Sequence, residues 1–371
     1  MILILGWVFV PFYTRSMVYT MPEFLERRYN PQSRTILSVI SLVSYVLTKV
    51  AVTVYAGGLV FQQVFGIKEL WGIDFFWIAA IGLVLLTALY TIFGGMKSVL
   101  YTSVLQTPIL LLGSLIILVL GFKELGGWDE MMRVCGAVTV NDYGDTMTNL
   151  IRSNDDANFP WLGALIGSAI IGFWYWCTDQ FIVQRVLSGK NEKEARRGTI
   201  FGAYLKLLPV FLFLIPGMIA FALHQKYIGA GGEGFLPMLA NGNANADAAF
   251  PTLVAKLLPA GVKGLVVCGI LAALMSSLAS LFNSSAMLFT IDFYKRFRPE
   301  TPEKKLVGIG QIATVVIVIL GILWIPIMRS VGVYFTHICK TFSLYWLRVL
   351  PQLSYWVSAG NVLPPKVVCG D

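Results

Sequence analysis

Charge is what this 371-residue chain has least of. Its 28 Lys and Arg and 20 Asp and Glu make up only 13% of the sequence. Soluble domains carry about 25% charged residues, so a soluble globular reading is excluded before any motif is sought. Histidine and cysteine are nearly as scarce. His224 and His337 stand alone, and Cys135, Cys177, Cys268, Cys339 and Cys369 are scattered. Neither set has the spacing of a metal site or a disulfide framework. HExxH, Walker and nucleotide motifs are missing too, and no paired carboxylates or nucleophile–base set lies within the apolar runs. An enzyme is therefore not expected, and no cofactor is implied. The formal net charge of +8 sits in loops, where it reads as an orientation signal; a nucleic-acid partner is not expected.

What the chain does have is apolar length. It is 57% hydrophobic, with a mean hydropathy of +0.73, and runs long enough to cross ~30 Å of hydrocarbon recur throughout. The expected fold is an all-α polytopic membrane protein with about 8–9 transmembrane helices. The spans fall near 1–14 (short), 35–65, 73–94, 99–122, 160–184, 200–224, 261–292 and 306–328, with an irregular candidate near 333. The connections 15–34, 185–198 and 293–305 are basic. Between them, 123–159 is rich in acid and 225–260 in Gly, Ala and Asn. The positive-inside rule makes the basic loops cytoplasmic, and successive loops then alternate sides. The apolar run opening at Met1 has no basic region before it, unlike a cleavable leader.

One span is unusual. "ILAALMSSLASLFNSSA", residues 270–286, carries five serines and an asparagine inside an apolar run. On a helix, Ala273, Ser276, Ser277, Ser280 and Ser284 share one side, while Leu274, Leu278 and Leu281 cover another. Small residues let membrane helices approach closely, and serine hydroxyls bond back to their own backbone; Ser280, Ser284 and Ser285 fit that role. The pair Ser276–Ser277 offers more. Its two hydroxyls, with the carbonyls of Ala272 and Ala273, converge on one point, and neutral oxygens without a full carboxylate suit a weak, reversible sodium site.

Several stretches resemble the sodium/solute symporter family, specifically its sodium–glucose cotransporter branch: "YTMPEFLERRY" (19–29), "LTALYTIFGGMKSVLYTSVLQT" (86–107), "WYWCTDQFIVQRVLSGKN" (174–191), "LKLLPVFLFLIPGMI" (205–219) and "LMSSLASLFNSSAMLFTIDFY" (274–294). The resemblance implies a five-plus-five inverted-repeat transporter fold, here partial, in a multi-pass protein of the plasma membrane. It implies sodium as coupling ion and a neutral sugar or polyol as solute, glucose or galactose before myo-inositol. Carried across, Ala273 lends its carbonyl, and Ser276 and Ser277 their hydroxyls, to sodium.

The resemblance also implies a solute site. Lys206 is a lone cation in an apolar run, and in the family this lysine faces sugar hydroxyls; snorkelling to the cytoplasmic edge is the other reading. Tyr175 and Trp176 provide rings that stack on a pyranose, although aromatics at such positions also serve packing or face lipid. Phe181 aligns with an aromatic that lines the pocket in some relatives. Asp179 and Gln180 read as a cap or an ion pair near the interface, and Arg185 as an anchor at the membrane edge. Two departures bear on the solute: Gly172 stands where sugar-transporting members place Asn or Thr, and Ser103 replaces an Asp that many members keep along the sodium path.

At both ends the resemblance implies missing pieces. A first core helix, broken at the midplane, precedes residue 1 in the family and carries the other half of each site. The expectation is a truncated member impaired in transport, the alternative being a non-transporting membrane fragment or solute sensor. After Ser330 the family pattern is lost. Back-translated with suitable codons and read one base earlier, "SYWVSAGNVLPPKVVCGD" encodes FLLGICWKRTASQGGLWG, which restores it. We therefore expect a frameshift near 331–334, dividing a transporter domain (1–330) from a divergent tail (331–371).

Overall fold

The computed structural model describes residues 1–16, 18–156, 160–238 and 244–327. The candidate span near 333 and the tail 331–371 lie outside the described residues.

Short polar residues start the first helices. Helix α1 (Ile2–Ser16) is followed by α2 (Met21–Arg28), whose cap is the Thr20 side chain on the Glu23 amide. Helix α3 (Pro31–Phe65) is capped by Asn30 on the Ser33 amide, with Pro31 in its first turn. These caps satisfy amides that a helix start leaves open, and proline lacks the one it would leave unpaired. A two-strand hairpin, Glu69–Leu70 against Ile73–Asp74, turns the chain into α4 (Phe75–Leu125), capped by Asp74.

Helix α4 has 51 residues, about 77 Å at 1.5 Å per residue, far more than one bilayer thickness. It is broken at Gly95, where φ 54° and ψ −153° take a backbone conformation that only glycine adopts at little cost. The two spans read from the sequence, 73–94 and 99–122, are therefore two arms meeting at "FGGMKS".

Helix α5 (Trp128–Gly136) opens the acidic connection. Asp145 there accepts from the Ser153 amide (2.7 Å) and the Asn141 side chain (2.8 Å), donors that hold its carboxyl below the usual carboxylate range. Helix α6 (Trp161–Thr178) follows, then α7 (Gln180–Leu187), α8 (Glu192–Leu205) and α9 (Ile215–Gly229). Helix α10 (Ala249–Leu257), the serine-bearing α11 (Ala260–Phe297) and α12 (Glu303–Ile327) complete the described chain.

One span differs from the sequence reading. The span 160–184 stops at Thr178, and the chain restarts as α7 after Asp179. The span 200–224 lies within one apolar helical stretch, Glu192–Gly229, whose hydrogen bonding loosens at Lys206 and Leu207. Hydropathy does not see the break at Asp179, because the residues flanking it are largely apolar.

The bundle is organised on α11 lying antiparallel along α4. A Cβ at Gly269 would stand 3.2 Å from the Leu110 Cα, and one at Gly113 would stand 3.0 Å from a Val266 methyl. Small residues at this crossing let the backbones come together, as membrane helices require. The same face, two turns along each helix, brings Ser103 to Ser276. One apolar core holds Tyr45, Val50 and Val54 of α3 with Leu83 of α4 and Leu278 and Phe282 of α11. A second gathers Ile117, Leu125, Ile219 and Leu253. A third, with Leu5, Tyr13, Cys177 and Val183, fastens α1 to the α6–α7 break, where the Tyr13 hydroxyl donates to the Cys177 carbonyl (2.8 Å). Leu89, Phe93, Leu105, Leu165 and Phe201 remain exposed, as expected of residues facing lipid.

Candidate solute and ion site

The α6–α7 break organises the interior. Residues Trp174–Thr178 form a wide π-type turn, which leaves the helix and ends at Asp179 in extended backbone (φ −73°, ψ 124°). The Asp179 carboxylate then caps α7, accepting from the Phe181 amide (3.1 Å). It also reaches across to α3, accepting from the Tyr45 hydroxyl and pairing with the Lys49 ammonium. The sequence suggested a cap or an ion pair near the interface; the structure makes both and buries them, with the Asp179 side chain 1% exposed.

Four rings surround the Lys49 ammonium: Tyr45 at 4.4 Å, Phe181 at 5.4 Å, and Trp174 and Tyr175 each at 5.7 Å from ring centre to nitrogen. Tyr175 meets Trp176 edge to face at 5.1 Å, and the Lys206 ammonium lies 5.1 Å over the Trp176 ring. Lys206 itself is exposed, at the loosened turn that follows Leu205 within the stretch Glu192–Gly229. The four residues read as solute ligands are thus joined in one path: Lys206 on Trp176, Trp176 on Tyr175, and Tyr175 with Phe181 around a common ammonium.

The serine helix meets this path through Arg185. Its guanidinium lies 5.5 Å from the Phe181 ring, donates to the Ser280 hydroxyl and lies 3.4 Å from the Ser276 carbonyl. The expected membrane-edge anchor is therefore an inward-pointing cation, because α7 begins after a break that turns this face of the helix toward α11. Gln184, one residue earlier, donates to the Ser280 carbonyl (3.1 Å) and to the Ser284 hydroxyl. Ser280 and Ser284 also bond back to the carbonyls of Ser276 (2.9 Å) and Ser280 (2.6 Å), as packing serines do.

Ser276 and Ser277 behave differently. Both are half-buried. The Ser276 hydroxyl donates to the Ser103 hydroxyl (2.7 Å), whose own proton goes to the Val99 carbonyl, so Ser103 lies directly against the serine pair. The Ser277 hydroxyl makes no hydrogen bond among the described residues. A helical carbonyl at Ala273, one turn earlier, keeps a second lone pair. Neutral oxygens with spare lone pairs are suited to a hard monovalent cation. Gly172, the other departure, has its missing side chain replaced by Met1, whose Cγ lies 3.0 Å from where a Cβ would stand.

Lys49 was overlooked in the sequence. Its signal was the one that singled out Lys206, a single cation in an apolar run, "LVSYVLTKVAVTVY".

Apolar helices that turn their few charges inward, around a broken helix and a helix of unspent hydroxyls, have the construction of a secondary transporter. The chain belongs to the sodium:solute symporter family, whose model matches residues 1–345. It is 37% identical over 341 residues to sodium/glucose cotransporter 4 of Mus musculus, covering 89% of this chain and 49% of that protein. Identity is 38% over 340 residues to sodium/myo-inositol cotransporter 2 of Bos taurus, again covering 89% and 49%. A solved structure of a Na+-coupled sialic acid symporter, in a substrate-bound outward-open state, superposes with a TM-score of 0.72 at 25% identity, covering 87% of this chain and 65% of that one. The chain is thus an all-α membrane protein carrying part of the five-plus-five inverted-repeat transporter fold, and it spans about half the length of the relatives it matches.

Proposed function

We propose that this chain forms the core of a sodium-coupled symporter of a neutral sugar or polyol in the plasma membrane, working by alternating access. The observation that carries the reading is the continuous path from the serine pair on α11, through Arg185 and Phe181, to Tyr175, Trp176 and Lys206. An ion on the serine pair of α11 and a solute on the aromatic pair of α6 are thereby linked through Arg185 and Phe181 of α7, so binding of either alters the other.

In this reading Ala273, Ser276 and Ser277 take sodium as cargo through oxygens alone. Tyr175 and Trp176 stack against the apolar face of the solute, and Lys206 donates to its hydroxyls. The Lys206 ammonium beside the Trp176 ring also disfavours a protonated amine, which supports a neutral polyhydroxy solute over an amine. The relatives named as glucose and myo-inositol cotransporters agree with that chemistry.

The test of the solute side is Lys206→Ala in proteoliposomes. A charged hydrogen bond contributes about 1.5–3 kcal/mol, so the variant is expected to raise the half-saturating glucose concentration about tenfold or more, with sodium half-saturation little changed. Unchanged glucose affinity removes Lys206 from the site. Sodium-dependent glucose binding without uptake would indicate a solute sensor rather than a transporter.

A further inference from the structure

Lys49 lies near the centre of the 35-residue α3, about 27 Å along the axis from Pro31 and about 24 Å from Phe65. A charge at such a depth is costly, needs a partner and marks a candidate functional element. Its partner Asp179 does three things at once: it caps α7 through the Phe181 amide, accepts from Tyr45, and neutralises Lys49. The Tyr45 hydroxyl in turn accepts from the Phe181 amide at 3.1 Å. The rings around the ammonium include Trp174, Tyr175 and Phe181, which flank the break on both sides. Nothing else among the described contacts ties the angle between α6 and α7 to α3 through charge.

We propose that Lys49 and Asp179 are positioning residues for solute recognition. The pair holds the α6–α7 break at one angle, and that angle sets where Tyr175 and Trp176 stand relative to Lys206. Lys49 does not itself touch the solute: its charge is spent on Asp179, and four rings close around it. This rests on the solute site of the proposed function. The role is distinct from sodium binding, because no described contact joins Lys49 or Asp179 to Ser276 or Ser277.

The test compares Lys49→Met with the double variant Lys49→Met/Asp179→Asn, using radiolabelled glucose binding and hydrogen exchange. The single variant strands a buried carboxylate, which costs far more than removing both charges. Asparagine retains an oxygen to cap Phe181. Since a displacement of ~1 Å in a binding constellation costs up to about a hundredfold, Lys49→Met is expected to weaken glucose affinity by about tenfold to a hundredfold. Exchange at the Phe181 amide accelerates with it, while sodium half-saturation at saturating glucose stays within about twofold. The double variant recovers glucose affinity to within about threefold of wild type.

Unchanged affinity in the single variant overturns the proposal. So does a double variant as impaired as the single one, since that result puts Lys49 in contact with solute. Should Lys49→Met fail to fold, the double variant against wild type decides the matter by the same threefold criterion. A wild-type chain with no sodium-dependent glucose binding rejects the proposed function instead; exchange at Phe181 in the two variants then decides the positioning role alone.

Discussion

Alanine at both Ser276 and Ser277 is expected to raise the sodium concentration for half-maximal glucose transport by roughly thirtyfold to a hundredfold, the equivalent of two neutral hydrogen-bond-strength oxygen ligands at about 1–1.5 kcal/mol each. The size of the effect follows from what the two hydroxyls do at present. The Ser277 hydroxyl makes no hydrogen bond among the described residues, so its removal takes none from them. Ser276 bonds only Ser103 through its hydroxyl, and Ser103 keeps its own bond to the Val99 carbonyl (2.7 Å) when Ser276 is gone. A loss of sodium affinity with an unchanged melting temperature therefore reports ligation. Ser280→Ala is the contrast: its hydroxyl receives the Arg185 guanidinium, so that change lowers stability before it alters sodium binding. If the double alanine variant saturates with sodium like wild type, the coupling ion binds elsewhere.

The largest effect on stability is expected at Asp292. Its side chain is fully buried and joins three elements. Thr20, the cap of α2, donates to it at 2.9 Å, and Arg34 of α3 donates through Nε at 2.8 Å, while Asp292 belongs to α11. Arg34 also pairs with Glu26 and donates to the Ile291 carbonyl at 3.1 Å. Removing one partner of a buried, hydrogen-bonded pair leaves the other charge uncompensated and costs about 3–5 kcal/mol. Asp292→Ala should therefore lower the thermal midpoint in detergent by many degrees and loosen α2 from α3. Asp292 remains to hold Arg34 when Glu26 is removed, so Glu26→Ala alone has a smaller effect. A midpoint for Asp292→Ala equal to that of wild type would mean that this cluster is peripheral to the fold.

The spans were legible because hydrophobic runs and basic loops are local properties. Gly95 appears in the sequence as "GG" between two apolar runs, and the break falls there. Helical spacing, also a local property, puts Ser276 and Ser277 on the side with Ala273 and the leucines on another; their role toward sodium is proposed. The break at Asp179 was not legible. It depends on a π-type turn among aromatics that could equally continue a helix, and on a lysine 130 positions earlier that supplies the counter-charge. Arg185 was assigned to the membrane edge on hydropathy, which places a residue along the membrane normal but not around the helix. Its inward direction is set by the break, so one missed turn displaced two assignments. Lys206 shows the converse: the ammonium was recognised as exceptional, whereas its contact with the Trp176 ring needed the structure.

The central claim is that sodium and solute are held by one connected set of side chains, which makes their binding reciprocal. Measuring glucose affinity across a sodium titration, with potassium holding ionic strength constant, and sodium affinity across a glucose titration tests it most directly. The account predicts that each ligand tightens the other by the same factor, and that Ser277→Ala reduces the effect of sodium on glucose affinity at any subsaturating sodium concentration. Glucose binding that is indifferent to sodium, with both ligands bound, would contradict it.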